Sequence, residues 1–195
     1  MRIIFLDIDG PMIPDQIAML PREERFPLKP LTRFPCYSAF SPYSRNMIMG
    51  ISRGLNAKIV TNSTHNTRGP EHIKALFNVN GMPPDEFLHP TIMTTYRDRT
   101  IVQKGTRRDE AVGIWMMEHG ETVDGIVIID DSLVEDYNQP LRERFGVEAS
   151  SLYGLAPYQA DDIRQILTKR KNTGWTDQDW DIFCGSSLND FDNVL

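Results

Sequence analysis

The 195-residue sequence holds only two cysteines, Cys36 and Cys184, far apart and in unrelated contexts. That count excludes a disulfide framework and a paired-cysteine metal site. The expectation that follows is two reduced thiols in a cytoplasmic protein. No run of about 18 apolar residues occurs, so no membrane span is expected. The opening stretch MRIIFLDIDG turns acidic after four consecutive apolar residues, too few for a secretory signal. Internal repeats and low-complexity tracts are lacking too, which leaves the length of one domain with a sizeable core, or one domain with a small insertion. Basic residues are missing after Lys171, where Asp177, Asp179, Asp181, Asp190 and Asp192 collect. The net charge of −6 is therefore uneven: without those five acids, 21 basic groups face 22 acidic ones. A body so near neutrality tolerates an anionic substrate but is no general nucleic-acid binder.

What the chain does have is a rhythm. Three short apolar runs each end in a polar cluster: Ile3 to Leu6 before Asp7, Ala57 to Val60 before Thr61, and Ile126 to Ile129 before Asp130. Runs of this β-branched kind read as strands buried on both faces, as in parallel sheets. Helical spacing fills the intervals. Met47, Ile48, Ile51 and Leu55 share one face over 43–55, and Pro70 opens a helix over 71–77 that Gly81 stops. Val112, Trp115 and Met116 mark a helix over 109–119, with Gly120 after it, and Ile163, Ile166 and Leu167 mark a last one over 160–171. A further strand is read over 89–95. Strands alternating with helices predict an α/β fold with a mostly parallel sheet. Seven prolines between Pro11 and Pro42 break the rhythm and point to a loop or small cap. The tail beyond 172 carries Trp175, Trp180, Phe183 and Phe191 among its acids. Such aromatics favour packing back on the body, a mobile tail being the alternative.

In open α/β sheets, ligands gather beyond the carboxyl ends of the strands. Asp7, Asp9, Thr61, Asp130 and Asp131 all fall there. Converging carboxylates repel one another unless a cation lies between them. An all-oxygen donor set suits Mg²⁺, which keeps several waters and bridges to a substrate phosphate. Placement alone thus predicts a magnesium site.

The same residues resemble a known superfamily. Phe5-Leu6-Asp7-Ile8-Asp9-Gly10 is similar to the first motif of haloacid dehalogenase-like (HAD) phosphatases, a hydrophobic strand followed by Asp-x-Asp-Gly. Ile59-Val60-Thr61-Asn62 resembles their second motif, a strand ending in Thr or Ser. Ile128-Ile129-Asp130-Asp131 resembles the fourth, a strand ending in paired acids, and the stretch from Lys104 to Arg108 holds candidates for the cation of the third. Within the superfamily, the segment from Arg108 to Trp115 with the acidic strand after it, and Tyr153-Gly154-Leu155 before the final helix, look closest to small HAD domains associated with RNA-repair proteins. Pro11 departs from the pattern, which more often has Val or Thr there. It fixes φ and removes a donor, so the loop after Gly10 differs.

The resemblance implies a Rossmann-like three-layer fold over residues 1–171, with a small or absent cap at 11–42 and the acidic tail at 172–195. It also implies roles. Asp7 would be the nucleophile and Asp9 the general acid and base, its main-chain carbonyl serving Mg²⁺. Thr61 and the amide of Asn62 would hold phosphoryl oxygens beside Gly10. Lys104 would neutralise charge, with Arg108 the alternative, and Asp130 and Asp131 would complete the metal shell with Asp7 and Asp9. The activity implied is that of an Mg²⁺-dependent phosphomonoesterase acting on nucleotides or nucleic-acid ends. A small-metabolite phosphatase and a non-catalytic phosphate-binding module are the rivals. Arg97, Arg99, Lys104, Arg107 and Arg108 against Asp98 alone make a basic stretch that suits a polyanion, or a solvated loop. His65 lines the pocket in one reading and lies in surface or core in the other; Asp136 is a supporting acid or a solvated one.

Overall fold

The computed structural model describes residues 1–20, 39–94, 108–169 and 175–188. In chain order, β1 (Arg2–Leu6) is followed by a short α1 (Asp15–Ala18), α2 (Pro42–Leu55) and β2 (Ala57–Thr61). A 3₁₀ turn (Thr64–Arg68), α3 (Pro70–Val79), α4 (Pro84–Phe87), β3 (Leu88–Met93) and α5 (Arg108–His119) come next. Beyond them lie β4 (Gly125–Asp130), α6 (Leu133–Asp136), α7 (Gln139–Phe145), β5 (Gly146–Glu148), α8 (Gln159–Thr168) and α9 (Asp177–Leu188). The strands form one five-stranded sheet in the order β3-β2-β1-β4-β5. All four pairings are parallel.

Alternation along the strands builds the three layers. Ile4 and Leu6 of β1, Ile59 of β2, and Val127 and Ile129 of β4 face α2, α3 and α8. Ile3, Phe5, Val60, Ile126 and Ile128 face the other way, onto Val112, Trp115 and Met116 of α5, Leu141 of α7 and Phe183 of α9. Both faces are covered, which is why these strands read as unbroken apolar runs rather than alternating ones. Arg2, at the start of β1, bonds the Leu55 carbonyl at 2.8 Å and the Leu167 carbonyl at 3.1 Å. One cation thus satisfies carbonyls where α2 and α8 end, the electronegative pole of each helix.

Boundaries follow caps. Ser41 accepts from the Ser44 amide and Pro42 stands in the first turn, so α2 starts at Pro42 and stops at Asn56, which takes the left-handed conformation. Helix α3 runs two residues past Phe77 before Gly81 turns it. Helix α8 ends at Thr168, short of Lys171. The expected loop or minimal cap over 11–42 lies for its greater part, 21–38, outside the described residues.

From the tail, Trp175, Trp180 and Phe183 pack into the second core layer. Asp179 organises this segment: its carboxylate accepts from the Thr176 amide at 2.8 Å and pairs with Arg144 at 2.7 Å, while Trp175 Nε1 donates to the Gly120 carbonyl. Those bonds cap α9 and tie it to α7 and α5, so its acids coexist with a buried aromatic face.

Candidate active site

Strand register converts three separate motifs into one crevice. Leu6 stands beside Thr61 on one flank and Ile129 on the other. The next residues, Asp7, Asn62 and Asp130, therefore emerge side by side at the carboxyl edge. The Asp7 amide continues the ladder to the Ile129 carbonyl, and the Asn62 amide to the Leu6 carbonyl, each at 2.9 Å. The chain builds β2 and β3 on one side of β1 and then crosses to β4 and β5 on the other. The gap between β1 and β4 is thus the switch point at which such sheets bind ligands.

Asp7 is 2% exposed and Asp130 fully buried. Arg108, the first residue of α5, reaches between them. Its Nη1 lies 2.7 Å from Asp7 Oδ2 and 2.5 Å from Asp130 Oδ2, and its Nε lies 3.2 Å from Asp136. Asp130 also accepts from the Tyr137 hydroxyl at 3.0 Å and from the Ser132 amide at 2.9 Å. The Ser63 side chain is close enough to pull the Asp7 carboxyl down slightly. Burial, and then the charge of Asp130, push the Asp7 carboxyl up to about 7, against the pull of Arg108. Burial opposes the Arg108 charge, yet Asp7 and Asp130 hold it well above the ordinary arginine range. Burial and Asp130 likewise push the Tyr137 hydroxyl well up, so it stays a donor. One guanidinium shared by buried carboxylates leaves them short of positive charge.

Gly10 explains how the third acid joins. It sits at φ +77°, and a Cβ there would fall 2.3 Å from Asp131 Cγ and 2.5 Å from Oδ2. Only glycine combines that backbone with so close a carboxylate. Asp7, Asp130 and Asp131 consequently offer oxygens that all lie within 4.8 Å of one another. Burial, then Asp130, push the Asp131 carboxyl up to about 6. Three clustered carboxylates, all oxygen donors in a largely buried crevice, are the chemistry of a divalent-cation site. This cluster can hold such a cation.

Asp9 stands apart from that triad and is 57% exposed. Thr64 Oγ1 donates to its Oδ2 at 3.2 Å, and His65 Nε2 lies 3.2 Å from its Oδ1. The hydrogen bond with His65, outweighing partial burial, holds the Asp9 carboxyl below its ordinary value. His65 therefore lines the site, and Asp136 supports Arg108 there.

Thr61 and Asn62 occupy a different place from the one expected. The Thr61 hydroxyl donates to Asn66 Oδ1 at 2.7 Å, within a buried network that includes Thr94. The Asn62 amide is spent on the sheet, while its side chain bonds Tyr137, the Arg108 carbonyl and Thr94. Both build the floor of the crevice, and neither has the expected phosphate-holding donor free. The neighbouring hydroxyl that acts on the Asp7 carboxyl is that of Ser63, which is fully buried. Tyr137 gave no sequence signal, lying seven residues beyond its partner Asp130. Lys104, like Arg97, Arg99 and Arg107, lies outside the described residues.

Comparison with known families places this site in context. A family model described as the HAD domain in Swiss Army Knife RNA repair proteins matches residues 3–160, which span every site residue named above. No curated protein and no solved structure gives a significant match. The family match and the aspartate cluster together support a phosphatase using general phosphoryl-transfer chemistry. Among the described residues, no helix is long and apolar enough to cross a membrane.

Proposed function

Because the chain belongs to the family of HAD domains in Swiss Army Knife RNA repair proteins, we propose that it is an Mg²⁺-dependent phosphomonoesterase with Asp7 as nucleophile. The observation that carries this reading is the triad Asp7, Asp130 and Asp131 gathered at the switch point with Arg108 between two of its members. An oxygen of Asp7 attacks phosphorus, the bond to the leaving oxygen breaks, and Asp9 supplies the proton that oxygen needs. Asp9, now ionised, takes a proton from water. That water attacks the phosphorus of the aspartyl-phosphate, releasing phosphate and restoring Asp7. Arg108 stabilises charge on the nucleophile and the transferring group in a water-poor setting. Ser63, buried beside Asp7, is the hydroxyl assigned to a phosphoryl oxygen, and Thr61 and Asn62 hold the frame. Asp7, Asp130, Asp131 and the main-chain carbonyl of Asp9 would hold Mg²⁺, which when bound supplies positive charge against the carboxylates and the phosphoryl oxygens.

For substrate, we favour nucleotides or the terminal phosphates of nucleic acid. The basic stretch from Arg97 to Arg108 leads directly into the helix that delivers Arg108 to the site. The family's association with RNA-repair proteins supports the same class. A cytoplasmic setting, where both thiols stay reduced, belongs to this reading.

Phosphate release should be compared across 5′- and 3′-phosphorylated oligonucleotides, mononucleotides and sugar phosphates, each with Mg²⁺ and with chelator. Mg²⁺-dependent release, fastest on oligonucleotides and weakened by salt, is expected. Reversing Arg97 and Arg99 to Glu should raise KM for the oligonucleotide and leave a sugar phosphate almost unaffected. Preference for sugar phosphates would establish the small-metabolite alternative. Release undiminished by exhaustive chelation would remove the metal.

A further inference from the structure

Two histidines beside the site have no part in the chemistry described so far. His65 sits on the 3₁₀ turn after β2, its amide anchored by Ser63 Oγ at 3.3 Å. Its ring uses both nitrogens: Nε2 meets Asp9 Oδ1 and Nδ1 meets His72 Nε2, each at 3.2 Å. His72, on α3, is 4% exposed, and the two rings stack with centroids 5.5 Å apart and planes 15° from parallel. Asp9, by contrast, is an outward-facing carboxylate whose side chain is 57% exposed.

We propose that His65 is a positioning residue for Asp9, and that His72 holds the His65 ring where it can do this. The proposal rests on the phosphatase reading, in which Asp9 handles the leaving-group proton. An exposed carboxylate samples several rotamers, and a general acid or base is effective only in the one that reaches the reacting oxygen. Thr64 and His65 donate to its two oxygens and hold one rotamer in place before substrate arrives.

His72 backs the ring of His65. It is buried on α3, its Nε2 lies 3.2 Å from His65 Nδ1, and the two stacked rings leave His65 Nε2 facing Asp9.

A leaving-group comparison tests this. p-Nitrophenyl phosphate expels a stable anion and needs little protonation, whereas n-butyl phosphate expels an alkoxide and needs it fully. His65→Leu should reduce kcat on butyl phosphate about 10-fold or more beyond its effect on p-nitrophenyl phosphate, within the range general acid catalysis contributes, while KM changes little. His65→Gln, which can present an N–H near the same point, should restore most of that loss. His72→Leu should give the same leaving-group signature, more weakly, and adding it to His65→Leu should cost nothing further, because the two act as one unit. Thermal melts of each variant separate these effects from unfolding. Equal losses on both esters, no loss on either, or failure of Gln to restore the alkyl ester would overturn the proposal. If the unaltered chain hydrolyses neither ester with Mg²⁺, the phosphatase reading itself falls.

Discussion

Replacing Asp7 with Asn should make the metal-free protein more stable, and increasingly so as pH rises. Asp7 is 2% exposed, and its carboxyl is pushed from 3.8 to about 7, chiefly by burial and by Asp130. A group whose folded pKa lies above its unfolded value contributes its full stability below the unfolded pKa, and that contribution is lost as pH climbs through the folded one. The window here runs from about pH 4 to about pH 7. A tenfold change in proton affinity is worth about 1.4 kcal/mol, so roughly 4 kcal/mol is the ceiling on what ionised Asp7 costs the fold at pH 8. Part of the relief is surrendered with the 2.7 Å contact to Arg108, although Asp130 and Asp136 still hold that guanidinium. A gain of about 1–3 kcal/mol at pH 8, shrinking towards zero near pH 4, is therefore expected. Urea unfolding in chelator at several pH values measures it, provided the slope with denaturant stays the same. Adding Mg²⁺ should narrow the difference, since the unaltered chain binds the ion more strongly and gains more from it. An Asn variant less stable than its parent at pH 8, or a difference independent of pH, would refute the reasoning. Either result would mean that Arg108 outweighs burial and that Asp7 is ionised at ordinary cost.

Arg108→Ala leaves Asp7, Asp130 and Asp136 without their shared cation; in chelator it should cost about 3–5 kcal/mol by urea unfolding, with Mg²⁺ returning part of it. The same variant should slow phosphate release more than Lys104→Ala, and the opposite order would pass the charge-neutralising role to Lys104. Gly10→Ala combines strain at φ +77° with a Cβ 2.3 Å from Asp131, so the melting shift produced by Mg²⁺ should shrink markedly against that of the parent. Phe183→Ala should cost about 3–5 kcal/mol in urea, because the ring is fully buried between α5 and α7; a loss below about 1 kcal/mol would detach α9 from the core.

The sheet was legible because its central strands announce themselves. Ile3 to Leu6, Ala57 to Val60 and Ile126 to Ile129 are buried on both faces, and no helix of that length would carry such β-branched runs. β5 gave no such signal, being the three residues Gly146–Glu148 at the sheet's edge. Helix α9 was hidden by composition: its acids mask a buried face whose key group, Asp179, bonds Arg144 and Thr176 from outside the helix. The acids of the site followed from strand ends, since side chains just past parallel strands in register must converge. Its hydrogen-bond donors did not follow. Whether a Thr at a strand end faces ligand or frame depends on partners such as Asn66 and Thr94, up to 33 residues away, and spacing cannot show that. His65 and His72, seven apart across a 3₁₀ turn and a helix start, likewise meet only once the turn is folded.

The central claim is that Asp7 performs the chemistry, and steady-state phosphate release by Asp7→Asn with Mg²⁺ tests it most directly. The substrate should be the ester the unaltered chain prefers, and the variant's melting curve should first show it folded. Release indistinguishable from the uncatalysed background is the predicted result, because a neutral amide cannot form the aspartyl-phosphate. Release by the folded variant at a rate comparable to its parent, in material free of other phosphatases, would contradict the account.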